Sequence, residues 1–216
     1  MLGEIKMNTK ERLLNEIWSS ITHGVGITLS IAAVVLLIIK GVAEHSGIVL
    51  TSFLVYGISL MTLYISSTLF HSLYFTKAKT FFQTMDHCSI FILISGTYTP
   101  YCLLAIRGNQ GIWMLSIIWI LSVLGILFHL FVHNSKLQWV ETLTYVLMGW
   151  LCLLGAKSLF LSLGTIGFAL LFIGGLMFTF GAGVYSIKGV KYAHVYWHIF
   201  VMLGSIAMFF SIYLFL

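Results

Sequence analysis

Long apolar runs alternate with short polar breaks along the chain, and seven runs approach or exceed the roughly 20 residues a helix needs to cross a bilayer. They extend over Ser20 to Ile39, Ile48 to Leu69, Met85 to Leu104, Ile112 to Val132, Leu137 to Ala156, Leu159 to Val184 and Val195 to Leu216. The pattern predicts an all-α integral membrane protein, a seven-transmembrane helix bundle. The fifth run is the weakest, because Gln138 and Glu141 stand at its start; a six-span chain results if it lies in the interface. A polar stretch, Met1 to Glu16, precedes the first run, so residues 1–216 read as one membrane domain with a short N-terminal segment and a bundle over 17–216. The first run is too long for a signal-peptide core and lacks a small-residue cleavage site.

Composition gives the same picture. Hydrophobic residues make up 60% of the 216 and Asp, Glu, Lys and Arg only 8%, against about 25% charged in soluble domains. Too few charges remain to coat a water-facing exterior. The net charge of +5 comes from basic residues scattered singly between apolar runs, which excludes a nucleic-acid surface and leaves them as topology signals. With the N-terminus inside, the inner flanks hold Lys6, Lys10, Arg12, Lys77, Lys79, Lys136, Lys188 and Lys191, and the outer flanks hold Lys40, Arg107 and Lys157. Eight against three predicts a cytoplasmic N-terminus and, with seven spans, a C-terminus outside, in a multi-pass plasma-membrane protein. Cys88, Cys102 and Cys152 lie inside apolar runs and form neither a disulfide framework nor a Cys-rich zinc motif. Gly174, Gly175, Gly181 and Gly183 predict close helix approach along the sixth run, Pro100 a kink at the outer end of the third, and Trp113, Trp139 and Trp197 interfacial anchors.

Ionisable groups inside a membrane are costly and turn toward a bundle interior or cavity. Four sets stand out. Glu16, Ser19 and His23 share one helix face by their spacing of three and four; Ser67 and His71 share another. Asp86, the sole aspartate, opens the third run beside His87, and His194 and His198 open the seventh, again four apart. Under the predicted orientation all four sets lie at the cytoplasmic end. Two His at i and i+4 can hold one metal ion, and His71 with Asp86 nearby completes the set. Three imidazoles and water suit Zn2+, in the layout of catalytic sites with an open position.

The predicted ligands are therefore His71, His194 and His198. Asp86 would accept a hydrogen bond from water at the metal or from a ligand imidazole, and Ser67 would donate to a substrate carbonyl or to the water. Zinc lowers the pKa of water from about 15.7 to about 7, so the constellation fits hydrolysis of an amide or ester, with a membrane lipid entering sideways between helices. Glu16, Ser19 and His23 would hold the ligands from behind, His23 as a buried hydrogen-bond partner tying the first span to the bundle. His87 reads as solvated at the interface. His129 and His133 form another i, i+4 pair but lack an acid or hydroxyl companion and read as structural or snorkelling, and His45 as solvated in an outer loop.

In order along the chain, Glu16-Ile-Trp-Ser-Ser-Ile-Thr-His23-Gly, Ser67-Thr-Leu-Phe-His71, Asp86-His87, Gly96-Thr-Tyr-Thr-Pro100 and His194-Val-Tyr-Trp-His198 resemble the hemolysin III branch of the progestin and adiponectin Q receptor (PAQR) superfamily. The resemblance runs from Glu16 to about Phe210. It implies a bacterial seven-helix protein, with zinc held near the cytoplasmic side by His71, His194 and His198 and accompanied by Asp86 and Ser67. Relatives include alkaline ceramidases, which hydrolyse a lipid amide, and bacterial members are linked to membrane-lipid homeostasis. Ser19 stands where the family commonly has Asn, and Met208 where many bacterial relatives have His.

Three functions follow. The first is a zinc-dependent lipid hydrolase. The second is a cytolysin or channel, which a polar stripe through several spans would favour; here the ionisable groups stop at one face. The third is a receptor or sensor whose zinc ties helices together.

Overall fold

Each apolar run folds as a helix because lipid offers backbone N–H and C=O groups no partner, and only an α-helix satisfies them within one segment. The computed structural model describes residues 7–132, 138–187 and 189–216. Lys6, His133, Lys136, Leu137 and Lys188, used in the sequence reading, lie outside the described residues.

The helices are α1 (Thr9–Ala43), α2 (Gly47–Ser72), α3 (Lys79–Pro100), α4 (Gly108–Phe131), α5 (Gln138–Trp150), α6 (Ala156–Ser186) and α7 (Ala193–Phe215). No strand occurs among the described residues. α1 starts within the stretch expected to be a polar segment. Asn8 Oδ1 accepts from the Glu11 N–H at 2.8 Å and Glu11 Oε2 from the Asn8 N–H at 3.0 Å, a capping box that begins the helix before the apolar run. α3 continues through Pro100 into a π-helical segment, Tyr101–Ile106. Proline has no N–H to give the preceding turn, and the chain adopts the wider turn directly after it.

Among the described residues, six helical stretches are long and apolar enough to cross a membrane: Thr9–Ala43, Gly47–Ser72, Lys79–Ile106, Gly108–Phe131, Trp139–Ser186 and Ala193–Phe215. The fifth, of 48 residues, contains both the fifth and sixth predicted runs. Straight, it would measure about 72 Å at 1.5 Å per residue, more than twice the hydrocarbon thickness. It is broken by a 3₁₀ segment, Leu151–Gly155, and by Gly164 at φ 64°, a left-handed conformation that glycine adopts without a Cβ penalty. The Trp150 indole donates to Thr179 Oγ1 at 3.0 Å, so α5 and α6 lie side by side. Tyr98 pins the end of α5: its hydroxyl donates to the Met148 carbonyl at 2.8 Å and accepts from the Cys152 N–H at 2.7 Å.

Burial is inverted relative to a soluble protein. Trp113, Phe131, Leu154 and Leu161 are 70–76% exposed, whereas Ser19, Ser52, Ser67, Ser95, His23 and His198 are buried. In lipid, helices associate through close packing rather than apolar burial. A Cβ on Gly174 would meet Met208 and the Gly204 carbonyl, and one on Gly181 would meet Phe200 and Trp197; the small-residue stripe is where α6 meets α7. Gly183 faces open space and takes no part. Trp113 and Trp139 are exposed, as an anchor requires, but Trp197 packs against Gly181 instead.

Candidate metal centre

The end of α2 and the start of α7 meet behind the first half of α1. Ser20 and Ser72 hydroxyls share a hydrogen bond of 2.7 Å, and a Cβ on Gly26 would run into the Tyr64 ring, so α1 and α2 lie in contact. This places Glu16, Ser19 and His23 opposite the last turns of α2. α7 leans onto the same α1 face, where His198 Nδ1 donates to the Ser19 carbonyl at 3.1 Å.

His71, His194 and His198 each offer one ring nitrogen within 4.8 Å of the others, a group that could hold a metal ion. His71 and His198 are buried and His194 half-buried. The polar neighbours fix two tautomers. A carboxylate and a carbonyl only accept, so His71 Nδ1 donates to Glu16 Oε2 at 2.7 Å and His198 Nδ1 to Ser19 O, with Thr22 Oγ1 at 3.3 Å. In the neutral rings both Nε2 atoms are left bare. This is how metal-binding histidines are oriented, the far nitrogen donating to a carboxylate or backbone carbonyl. His71 Nε2 and His194 Nε2 are 3.0 Å apart. Ligand nitrogens of a tetrahedral ion, each about 2.0–2.1 Å from the metal, stand about 3.3 Å apart, so the pair needs little adjustment.

The surrounding polar atoms point the same way. Among the described residues, Ser19 Oγ and both nitrogens of His23 are buried without a hydrogen-bond partner. A buried polar group left alone costs about 1–3 kcal/mol, and native proteins seldom leave one without protein or ordered water. Several such atoms around three clustered imidazoles fit a centre completed by an ion with water. Imidazole donors without thiolate suit zinc, and also copper, iron or nickel. Asp86, buried on α3, lies within electrostatic reach of His71 and His87 and beside the Ser67 hydroxyl. At the rim, outside the spans, Lys191 donates to Glu11 at 2.8 Å, which raises the lysine above its ordinary pKa.

The predicted site residues thus come together, with three differences of detail. Ser19 acts through its backbone carbonyl rather than its hydroxyl. His23 makes no hydrogen bond; its ring stacks on His198, centroids 3.6 Å apart at 11°, and meets Tyr64 edge-on at 5.1 Å. His87 is not simply solvated but stacks on His129 at 4.9 Å. Met208, where a His was expected from the resemblance, is buried against Gly174, with the Tyr101 hydroxyl 3.7 Å from its sulfur. Thr22 was missed, although it follows Ser19 by three positions on an already marked helix face.

Comparison with known proteins agrees with the family resemblance. The family profile described as haemolysin-III related matches residues 11–209. The chain is 42% identical over 197 residues to the hemolysin-3 homolog of Bacillus subtilis (strain 168), covering 91% of this chain and 92% of that protein. It is 40% identical over 197 residues to hemolysin-3 of Bacillus cereus, covering 91% and 90%. The human monocyte to macrophage differentiation factor is 28% identical over 170 residues, covering 75% of this chain and 69% of that protein. A match of this extent makes the chain a member of the haemolysin-III-related family.

Proposed function

We propose that this membrane protein is a zinc-dependent hydrolase of a lipid amide or ester, acting in membrane-lipid homeostasis. The observation that carries the reading is the convergence of His71, His194 and His198 within 4.8 Å, with Asp86 and Ser67 alongside. His71, His194 and His198 would hold the ion. When bound, zinc would polarise a carbonyl and make water acidic enough to act near neutral pH. Asp86 would take up the proton released by that water, and Ser67 Oγ, beside Asp86, would donate to the substrate carbonyl. Glu16 and the Ser19 carbonyl keep two ligand rings in the binding tautomer. The apolar exterior supports entry of the lipid from the side.

Seven crossings belong to the same reading. α5 and its 3₁₀ continuation have 13 and 5 residues, about 20 Å plus about 10 Å, which matches the hydrocarbon core of about 30 Å. With seven crossings the lysine bias favours a cytoplasmic N-terminus and an outside C-terminus, and the two Bacillus relatives favour a bacterial plasma membrane. One observation favours a second reading: the ligands sit on α2 and α7 and are held from α1, so a zinc ion would cross-link three helices in a receptor or sensor. The cytolytic alternative rests on the names of the two Bacillus relatives.

The test is metal content and lipid turnover of the purified chain beside His198→Ala. One tightly held zinc, with amide or ester release lost together with it in the variant, is expected. Turnover that survives loss of the metal refutes hydrolysis at this centre. Metal-dependent folding without turnover of any membrane-lipid extract replaces it with the cross-linking role.

A further inference from the structure

A second group of ligand-type side chains gathers at the same end of the bundle, on three helices that contribute no predicted ligand to the first. His87 stands near the start of α3, His129 near the end of α4 and Glu141 near the start of α5. The two imidazoles are stacked almost parallel, centroids 4.9 Å apart at 12°. His129 Nδ1 donates to Glu141 Oε1 at 3.0 Å, and His87 Nδ1 donates to the Gln83 carbonyl at 2.8 Å. Because both acceptors only accept, both tautomers are fixed, and in the neutral rings both Nε2 atoms are bare.

This repeats the logic of the first centre. There a carboxylate, Glu16, holds one ligand His and a backbone carbonyl, that of Ser19, holds another. Here Glu141 and the Gln83 carbonyl do the same for His129 and His87. The carboxylate–histidine pair is the usual backing of a metal-bound imidazole. The Tyr145 hydroxyl donates to the His87 carbonyl at 3.3 Å, which ties α5 to α3 beside the pair. The Cys88 thiol lies within electrostatic reach of Glu141. The His129 and Glu141 side chains are 18% and 11% exposed, enclosed enough to be oriented and open enough to exchange an ion.

We propose that His87 and His129, backed by Gln83 and Glu141, form a second divalent-metal site of the zinc class, weaker than the first. Two imidazole nitrogens supply the protein ligands and water fills the remaining positions. The stacked rings must tilt toward each other to bring their Nε2 atoms to the spacing of about 3.3 Å that a tetrahedral ion requires, a side-chain adjustment. With two protein ligands instead of three, this site fills after the first and empties before it. The competing arrangement is a protonated His129 paired with Glu141 and merely stacked on His87, which binds no ion.

The experiment titrates the metal-free full-length chain in detergent with Zn2+, and in parallel with Co2+, whose visible bands report coordination. Two equivalents are expected for the wild type, one tight and one weak. The weak equivalent disappears in His87→Ala/His129→Ala, while the tight one stays and shows that the variant is folded. Glu141→Gln, which keeps the size and an acceptor oxygen, weakens only the second equivalent, by about 10- to 100-fold. In His71→Ala/His194→Ala/His198→Ala the weak equivalent remains and the tight one is gone, which separates this site from the hydrolase reading. A single equivalent in the wild type at saturating Zn2+ overturns the proposal. So does a second equivalent that survives in the double variant, or one whose affinity is unchanged in Glu141→Gln.

Discussion

Replacing Glu16 tests how much of the metal affinity at the first centre is set from behind the ligands. Its carboxylate lies 2.7 Å from His71 Nδ1, with the two side chains 7% and 2% exposed, so water cannot stand in for it. Its other oxygen accepts from Asn15 Nδ2 at 3.2 Å. Glu16→Gln keeps an oxygen where the imidazole N–H donates but removes the charge. Hydrogen bonds to charged groups contribute about 1.5–3 kcal/mol and neutral ones about 0.5–1.5 kcal/mol. The difference of about 1–1.5 kcal/mol corresponds to a loss of about 5- to 12-fold in zinc affinity, at 1.4 kcal/mol per decade. Glu16→Ala removes the acceptor and frees the ring to change tautomer, and the loss rises to about 10- to 100-fold, the range for groups that back metal-bound histidines. Competition with a chromophoric chelator measures both affinities in detergent, and nitrogen-15 spectra of labelled histidine report whether Nδ1 keeps its proton. Circular dichroism of the metal-free variants verifies that the helices are intact. Zinc affinity of Glu16→Ala within twofold of wild type would refute the argument that the carboxylate sets the tautomer of His71.

Two further outcomes are expected. Gly26→Ala places a methyl group into the Tyr64 ring, which itself meets His23 edge-on; thermal unfolding in detergent should show a loss of about 1–3 kcal/mol, the usual cost of overpacking, and unchanged stability contradicts the tight α1–α2 contact. Tyr98→Phe strands the Cys152 N–H and relaxes the bond to the Met148 carbonyl, at a cost of about 1–3 kcal/mol. Amide exchange around Cys152 should accelerate, and protection equal to wild type removes Tyr98 as the clamp of α5.

The helices were legible because each apolar run is long, and the candidate histidine cluster because a spacing of four puts two histidines on one helical face. The convergence of His71 with His194 was legible from the order of helix ends alone. What escaped was set by individual atoms and by contacts between distant helices. A serine in the sequence does not say whether its hydroxyl or its carbonyl will be used, and at Ser19 it is the carbonyl. His87 and His129 come from different helices, and no spacing along the chain relates them. Gly164 sits in an apolar run like other glycines there; only its positive φ marks a break between Trp139 and Ser186. The early start of α1 follows from Asn8 and Glu11, a capping pair readable in the sequence but outweighed by the polar character of the segment.

The contact between Ser19 and His198 spans 179 positions, and Glu16 reaches His71 across 55. The candidate centre is therefore assembled from helices far apart in the chain, and α1 and α2 are made well before α7. A nascent chain that has not reached α7 can pair Glu16 with His71 but has no His194 or His198 to offer. Under the proposed reading, ion capture at this centre would wait until α7 has been made and docked. Chains released prematurely, or with α7 left out of the membrane, would stay metal-free and distinguishable from finished protein by that fact alone.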